Sequence, residues 1–279
     1  MQLQCGAIRL DLSRPRIMGI VNVTPDSFSG DGLARDLDRA EAQARAMVGD
    51  GADLIDIGGE SSRPGAAAVT VQEEIDRVLP LLERLRDLPV PISVDTCKPA
   101  VMRVALSGGA SLINDIRALQ EEGAVDTLAG AGAAVCIMHM QGQPRSMQNA
   151  PGYSNVVEEI KAFLKQRIAA AHGAGIGGDR ICVDPGFGFG KTLQHNLVLL
   201  KNLHHFSDLG CALLVGLSRK SMLGQITGRA VEQRVAASVS AALYAVQAGA
   251  HIVRVHDVAA TRDAIAVWQA INEQGHCYD

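Results

Sequence analysis

Eight short apolar segments recur along this chain, and helix-compatible sequence follows each of them. The segments are Ile17–Val21, Leu54–Ile57, Pro91–Val94, Leu112–Ile113, Ala134–Met138, Ile181–Val183, Ala212–Leu217 and Ile252–Val255. Nearly continuous apolar runs of this kind are typical of strands in a parallel sheet that is covered on both faces. The alternation therefore predicts an α/β protein.

The stretches between these segments carry helix signals. Residues 70–73 form a capping box, and the apolar residues from Val71 to Leu85 share one helix face. Similar stripes predict helices over Leu37–Val48, Val157–Ile168, Val231–Val246 and Ala264–Ile271. Eight strand–helix units in 279 residues fit a (β/α)8 TIM barrel, which needs about 250 residues. A doubly wound open sheet is the structural alternative.

The amino-terminal residues and the absence of a linker fit the same architecture. Residues 1–15 alternate apolar and polar side chains, which predicts a short N-terminal β-hairpin that closes the bottom of the barrel. No linker rich in Pro, Gly or Ser and no run of like charges divides the chain. We therefore expect one domain over residues 1–279.

Composition argues against several classes of partner. A formal net charge of −4 gives no global reason to expect nucleic acid or an anionic membrane as partner. The stretch from Val235 to Val253 has no charged side chain, but it is mostly Ala with Ser, Gln and His, so we predict a buried helix and a strand instead of a membrane span. The six cysteines contain no C-x-x-C pair, and we interpret them as buried thiols of a cytoplasmic protein.

Every predicted strand ends in polar or reactive side chains. The ends read Asn22, DIGGESSRPG, Asp95-Thr96, Asn114-Asp115, Met138-His139-Met140, DPGFGFGK, GLSRKS and Arg254-Val255-His256-Asp257. Active sites of barrels lie at the carboxyl ends of the strands, so we expect these residues to converge. We interpret Asp115 and Asp257 as helix caps and His139 as a core histidine.

The chemistry of these ends divides into two groups. Asp95, Asn114 and Asp184 suit the edge of a planar, nitrogen-rich heterocycle, since a carboxylate can pair bidentately with an N–C–NH₂ edge. Positive charge and N–H donors for phosphate oxygens come from Arg63, Lys220, Arg254 and His256. Asn22 supplies an oxygen of the kind that Mg²⁺ accepts, with water and substrate phosphates completing its shell.

One segment imitates a nucleotide-binding loop. Residues 185–192 read PGFGFGKT and follow a predicted strand, but a P-loop requires Gly where Pro185 stands. We interpret the glycines as room for close approach of backbone to a flat ligand, with Phe187 or Phe189 available for stacking.

The ordered set NVTPDSFS, DIGGESSRPGA, SVDT, IND, MHMQG, DPGFGFGK, GLSRKS and RVHD, between about residues 16 and 260, resembles the bacterial dihydropteroate synthases. That resemblance implies a homodimeric β/α barrel enzyme of folate synthesis. Such an enzyme transfers a pterinylmethyl group, joining (7,8-dihydropterin-6-yl)methyl diphosphate to 4-aminobenzoate to give 7,8-dihydropteroate and diphosphate. It also implies a target of sulfonamides, which imitate 4-aminobenzoate.

The resemblance also implies roles for individual residues. Those implied to bind pterin diphosphate are Ser62, Asp95, Asn114, Met138, Asp184, Lys220, Arg254 and His256, and Asn22 is implied to bind Mg²⁺. Those implied on the 4-aminobenzoate side are Ser62, Arg63, Phe189, Ser218, Arg219 and Lys220. We expect the catalytic set to be Asp95, Asp184, Lys220 and Arg254.

Three positions depart from the family pattern. Ser62 stands where members commonly have Thr, the first loop reads SFSGDGLAR where SFSDGG is usual, and Cys97 replaces a small polar residue. None of them removes an implied ligand, but Ser62 leaves the response to sulfonamides open.

Two other functions are compatible with a pterin-binding barrel. A methyltransferase acting on methyltetrahydrofolate needs no diphosphate site, so Asn22, Arg63, Arg254 and His256 argue against it. A catalytically inactive pterin-binding paralogue would have lost phosphate ligands, and all of these are retained.

Overall fold

Ten strands and nine α-helices lie in the parts of the chain that the computed structural model describes, residues 1–23, 33–61, 68–143 and 146–274. The strands are β1 (Gln2–Cys5), β2 (Ile8–Asp11), β3 (Arg16–Asn22), β4 (Leu54–Gly58), β5 (Ile92–Asp95), β6 (Leu112–Asp115), β7 (Ala134–Met138), β8 (Ile181–Asp184), β9 (Ala212–Val215) and β10 (Ile252–Val255). The helices are α1 (Leu33–Gly49), α2 (Val71–Arg84), α3 (Pro99–Gly108), α4 (Ala124–Ala129), α5 (Val156–Gly173), α6 (Leu193–Lys201), α7 (Ser221–Thr227), α8 (Val235–Gln247) and α9 (Val258–Gln274).

Strands β3 to β10 form a closed parallel barrel, in which each strand pairs with the next along the chain and β10 pairs with β3. Strands β1 and β2 form a separate antiparallel hairpin. The predicted (β/α)8 TIM barrel with an N-terminal hairpin is confirmed, and the open sheet is excluded.

Three helix starts differ from the sequence signals by more than one residue: α1 begins at Leu33 and not Leu37, α9 begins at Val258 and not Ala264, and α8 begins later than predicted. The capping box before α2 is formed: the Thr70 hydroxyl accepts from the Glu73 N–H, and the Glu73 carboxylate accepts from the Thr70 N–H. The helix predicted from Val231 begins later, at Val235, after a 3₁₀ turn. Arg234 separates the two, and its guanidinium donates to the carbonyls of Arg229 and Arg219, both at 3.0 Å.

The period-two alternation of the strands sorts their side chains into two buried clusters. One cluster packs the barrel wall against the helices. The other fills the lower barrel with small and medium apolar side chains, among them Met18, Leu54, Leu112, Leu214 and Ile252. Leu3, Cys5, Leu10 and Leu12 belong to the same cluster. The hairpin therefore packs against the amino-terminal ends of the barrel strands, which leaves the opposite end for polar residues.

Within the ranges that the structure describes, none of the helices combines the length and apolar character that a membrane crossing demands. The uncharged stretch from Val235 forms α8 followed by β10, as predicted. Five cysteines lie in the described ranges and are free thiols, four of them buried; Cys277 lies outside those ranges.

Candidate active site

Strand register brings the predicted polar residues to one level at the carboxyl end of the barrel. Asn22 is the partner of Gly58, Gly58 of Asp95, and Asp95 of Asn114. Farther round the barrel, Met138 of β7 is the partner of Asp184 of β8. Asn114, Met138 and Asp184 are buried, so this row forms the floor of the barrel mouth.

Arg254 of β10 extends from the opposite side of the barrel toward this row. Its Nε lies 2.6 Å from Oδ2 of Asp56, and its Nη2 lies 3.0 Å from Oδ2 of Asp95. The Asn114 amide donates to the same Asp56 oxygen at 3.1 Å. One half-buried guanidinium and one buried carboxylate thus fix the positions of two predicted heterocycle ligands, Asp95 and Asn114.

Asp56 is the site residue that the sequence analysis missed. Its side chain is fully buried on β4, and its Oδ1 has no hydrogen-bond partner among the described residues. A signal was present, since Asp56 is a charged residue inside an apolar strand and lies two positions before Gly58, which faces the mouth. Asp56 is the first residue of the DIGGESSRPG strand end, but it lies inside the strand, and the sequence prediction assigned it no role.

Burial controls the charge of the two carboxylates on the floor. It raises the pKa of Asp95 to about 7; the Arg254 guanidinium opposes this rise and the neighbouring Asp56 carboxylate adds to it. Burial likewise raises the pKa of Asp184, against the Lys220 ammonium and a hydrogen bond of 2.7 Å from the Gly186 N–H. Both groups therefore titrate closer to neutrality than an exposed aspartate does.

Lys220, which precedes α7, connects the floor to a glycine-rich segment. Its Nζ donates to the carbonyl of Phe187 and lies 4.9 Å from the ring centroid of Phe189. Burial lowers the pKa of Lys220 to about 8, against the attraction of the Asp184 carboxylate. The ammonium thus lies between the carboxylate on the floor and an aromatic face.

The glycine-rich segment, residues 185–191, turns sharply at three glycines. Gly186, Gly188 and Gly190 all have positive φ, and a Cβ on Gly186 would lie 1.8 Å from the carbonyl oxygen of His139. Only glycine fits that approach. Phe187 is fully buried, so Phe189 is the aromatic residue at the site.

Two residues predicted on the 4-aminobenzoate side are engaged by the loop after β10. The Ser218 hydroxyl lies 2.9 Å from Nδ1 of His256 and accepts from the His256 N–H at 3.2 Å. Arg219 forms a bidentate ion pair with Asp257, at 3.1 Å and 2.6 Å. Ser218 therefore orients His256, and Asp257, which we interpreted as a helix cap, orients Arg219 through its carboxylate although it directly precedes α9.

Asp115 does not cap a helix, contrary to the interpretation from the sequence. Its carboxylate accepts from the N–H groups of Arg117 and Leu119, at 2.8 Å and 2.7 Å, well before α4 begins at Ala124. It stabilises a turn in which Ala118 and Leu119 have positive φ.

The remaining predicted residues lie at the rim or outside the described ranges. Asn22 is half-buried at the end of β3, and a Cβ on Gly58 would lie 3.2 Å from its Oδ1, so the absence of a side chain there leaves space beside the amide oxygen. No cluster of three or more His, Cys, Asp or Glu able to hold a metal occurs among the described residues. Ser62, Arg63 and the SFSGDG segment fall outside the described residues.

Comparison with known proteins identifies the family. The family model described as "Pterin binding enzyme" matches residues 18–256. The dihydropteroate synthase of Haemophilus influenzae is 52% identical over 271 residues, which cover 97% of this chain and 98% of the relative.

Solved structures agree in fold. The Xanthomonas albilineans dihydropteroate synthase with 4-aminobenzoic acid has a TM-score of 0.92 at 52% identity, covering 97% of this chain and 98% of that one. The Yersinia pestis dihydropteroate synthase in complex with a sulfonamide drug has a TM-score of 0.93 at 49% identity, covering 98% and 100%. With matches of this length and identity, the chain belongs to the pterin binding enzymes, among the dihydropteroate synthases.

Proposed function

We propose that this chain condenses (7,8-dihydropterin-6-yl)methyl diphosphate with 4-aminobenzoate to give 7,8-dihydropteroate and diphosphate. One observation carries the proposal: a row of half-buried Asp95 and buried Asn114 and Asp184 faces the Lys220 ammonium at the carboxyl end of the barrel. Family membership and the similarity to dihydropteroate synthases that bind 4-aminobenzoic acid and a sulfonamide drug support it.

The row suits the pterin ring. Asp184 can accept two N–H bonds from the N–C–NH₂ edge of the ring, while the Asn114 amide offers both a donor and an acceptor. Because these groups are buried, their hydrogen bonds to a bound ring form out of water, where they are stronger. Asp95 faces the ring beside Arg254, and Met138 gives the pocket an apolar surface.

The 4-aminobenzoate side begins at Lys220. Its position between Asp184 and the Phe189 ring suits it to contact both substrates. We propose that Phe189 packs on the aminobenzoate ring and that Arg219, held by Asp257, gives this side its positive charge. Ser218 borders the same side, and the family resemblance assigns Ser62 and Arg63 to it; both fall outside the described residues. Sulfonamides should compete for this side, since they imitate 4-aminobenzoate.

Diphosphate would be held at the rim by Arg254, His256 and Arg63. The Asn22 amide oxygen and the space beside Gly58 fit a Mg²⁺ ion that water and substrate oxygens hold for the most part. When bound, Mg²⁺ would neutralise the negative charge that grows on the leaving diphosphate.

The reaction is a substitution at the methylene carbon, in which the C–O bond to diphosphate breaks and the C–N bond to the arylamine forms. Arg254 and His256 stabilise the departing diphosphate, and the carboxylates of Asp95 and Asp184 stabilise positive charge on the electron-rich pterin. The arylamine attacks in its neutral form, and its proton passes to diphosphate or solvent. No covalent intermediate with the enzyme is required.

We also propose that the enzyme is a cytoplasmic homodimer. Large apolar side chains are exposed on three consecutive helices, with Ile226 on α7, Tyr244 on α8, and Val267 and Ile271 on α9. Such surface is typical of a protein interface. The free thiols of the described cysteines are compatible with a reducing compartment.

The direct test mixes purified protein, pterin diphosphate, Mg²⁺ and 4-aminobenzoate and measures dihydropteroate. We expect product that requires both substrates, and a large loss of rate when a chelator removes the metal. Absence of product while the pterin still binds would favour the inactive paralogue. Methyl transfer from methyltetrahydrofolate to a corrinoid protein, without product here, would favour the methyltransferase.

The anchoring role of Asp56 predicts a specific defect in Asp56→Asn. The substitution removes the charge that Arg254 pairs with, so we expect pterin diphosphate to bind about tenfold or more weakly, measured by calorimetry. The matched control is Asp53→Asn, since Asp53 forms a comparable ion pair with Arg16 at 2.8 Å, at the other end of β3 from Asn22. Both variants should lose roughly 2–4 kcal/mol of unfolding free energy. Equal pterin affinity in the two variants would contradict the role of Asp56.

The pKa of Lys220, lowered to about 8, predicts an alkaline limb in the pH profile of kcat/KM for pterin diphosphate. Above that pH the amine loses its proton and its attraction to Asp184, so the rate should fall. Lys220→Arg keeps the charge at all working pH values, and its profile should lack this limb even though its activity is lower. Because the substrates titrate alike in both assays, an alkaline limb that persists in Lys220→Arg would refute the assignment.

A further inference from the structure

The glycine-rich segment has an unusual pattern of hydrogen bonds. Each of its five consecutive carbonyls, from Gly186 to Gly190, accepts a bond from a side chain. The donors are Lys191 to Gly186 at 2.8 Å, Lys220 to Phe187, Gln148 to Gly188, Lys191 to Phe189 at 2.9 Å and Tyr153 to Gly190 at 2.9 Å. A P-loop directs N–H groups at its ligand, whereas this segment directs carbonyls at side-chain donors. Lys191 alone supplies two of the five bonds.

Lys191 has a complete set of partners without a carboxylate. Its Nζ lies 3.0 Å from Nδ1 of His139, so its three N–H donors meet two carbonyls and one ring nitrogen. The side chain is 3% exposed, and none of the ion pairs among the described residues includes it. An ammonium buried in this way is costly unless it stabilises something else.

His139, the ring partner of Lys191, is itself held in place by its surroundings. It is buried, its ring packs edge-on against Phe163 at 5.0 Å, and its backbone N–H donates to the carbonyl of Asp184 at 2.9 Å. Burial lowers the pKa of Lys191 well below its usual value; in the protonated form its Nζ can only donate, so Nδ1 of His139 is then the acceptor nitrogen of a neutral imidazole. Burial and the charge of Lys191 lower the pKa of His139 to about 3, in agreement with that assignment. The core histidine predicted from the sequence thus has a defined contact.

We propose that Lys191 is a positioning residue for the 4-aminobenzoate side of the site. It fixes the segment against β7, and the segment in turn supplies the Phe189 ring and the Phe187 carbonyl that hold Lys220. This inference rests on the proposed function, from which the roles of Phe189 and Lys220 follow.

The geometry predicts that loss of Lys191 affects the 4-aminobenzoate side of the site more than the pterin side. Three glycines with positive φ leave the segment many alternative conformations, and the bonds from Lys191 restrict them. Without Lys191, the Phe189 carbonyl loses its side-chain donor and the Gly186 carbonyl keeps only the Phe189 N–H, so the segment can rearrange. Asp95, Asn114 and Asp184 lie on strands, so these three proposed pterin ligands keep their places, and Lys220 is the pterin contact that depends on the segment.

The test compares Lys191→Met with the wild type in steady-state kinetics. We expect KM for 4-aminobenzoate to rise about tenfold or more and KM for pterin diphosphate less than about threefold. Lys161→Met is the matched control, because Lys161 pairs with Asp208 on the outside of α5, and both constants should stay unchanged there. An equal rise of both constants in Lys191→Met, or no rise in either, would overturn the proposal.

Two further measurements keep the proposal testable. If Lys191→Met does not fold, Tyr153→Phe removes a single donor from Gly190 and should raise KM for 4-aminobenzoate about threefold; no change in that constant would overturn the proposal. If the wild type makes no product, the proposed function fails, and hydrogen exchange still reports on Lys191. Residues 186–190 should exchange faster in Lys191→Met than in the wild type, and equal rates would refute the positioning role.

Discussion

The shared contact of Arg254 with Asp56 and Asp95 is the interaction on which the site depends. Two carboxylates at one end of a barrel cannot both stay ionised out of water unless a cation lies between them. Arg254 supplies that cation from β10, the strand that closes the barrel onto β3. The Asn114 amide donates to the same Asp56 oxygen, so the position of this amide depends on the Asp56 carboxylate. Closure of the barrel and formation of the proposed pterin pocket are therefore coupled.

The two sides of the site are built differently because their supports differ. Strands carry the proposed pterin side, where burial, opposed by the Arg254 guanidinium and reinforced by the Asp56 carboxylate, raises the pKa of Asp95 to about 7. Loops carry the 4-aminobenzoate side, where backbone entropy must be offset by side-chain contacts such as those of Lys191 with residues 186 and 189 and of Asp257 with Arg219. Lys220 belongs to both, and its pKa of about 8 reflects burial opposed by the Asp184 carboxylate. Perturbed groups of this kind are typical of catalytic sites.

The fold could be predicted from the sequence because eight apolar strands with helices between them have few ways to bury both faces of a sheet. The polar row could be predicted for a related reason, since strand ends of a barrel converge. Asp56 was missed because it lies inside its strand, where period-two alternation and not strand termination decides its direction. The partners of Ser218 and Arg219 depend on the distant residues His256 and Asp257, which no local pattern reveals. The start of α8 was misplaced because Arg234 bonds to a loop remote in sequence.

We propose that the carboxylate row at the carboxyl end of the barrel both binds the pterin ring and stabilises charge during the reaction. The most direct measurement is a pair of experiments on Asp184→Asn, calorimetric titration with pterin diphosphate and steady-state turnover. The variant keeps the side-chain shape and removes the charge that pairs with the N–C–NH₂ edge. We expect pterin affinity and kcat to fall together while the fold is retained. Unchanged affinity and unchanged kcat in a folded Asp184→Asn protein would contradict it.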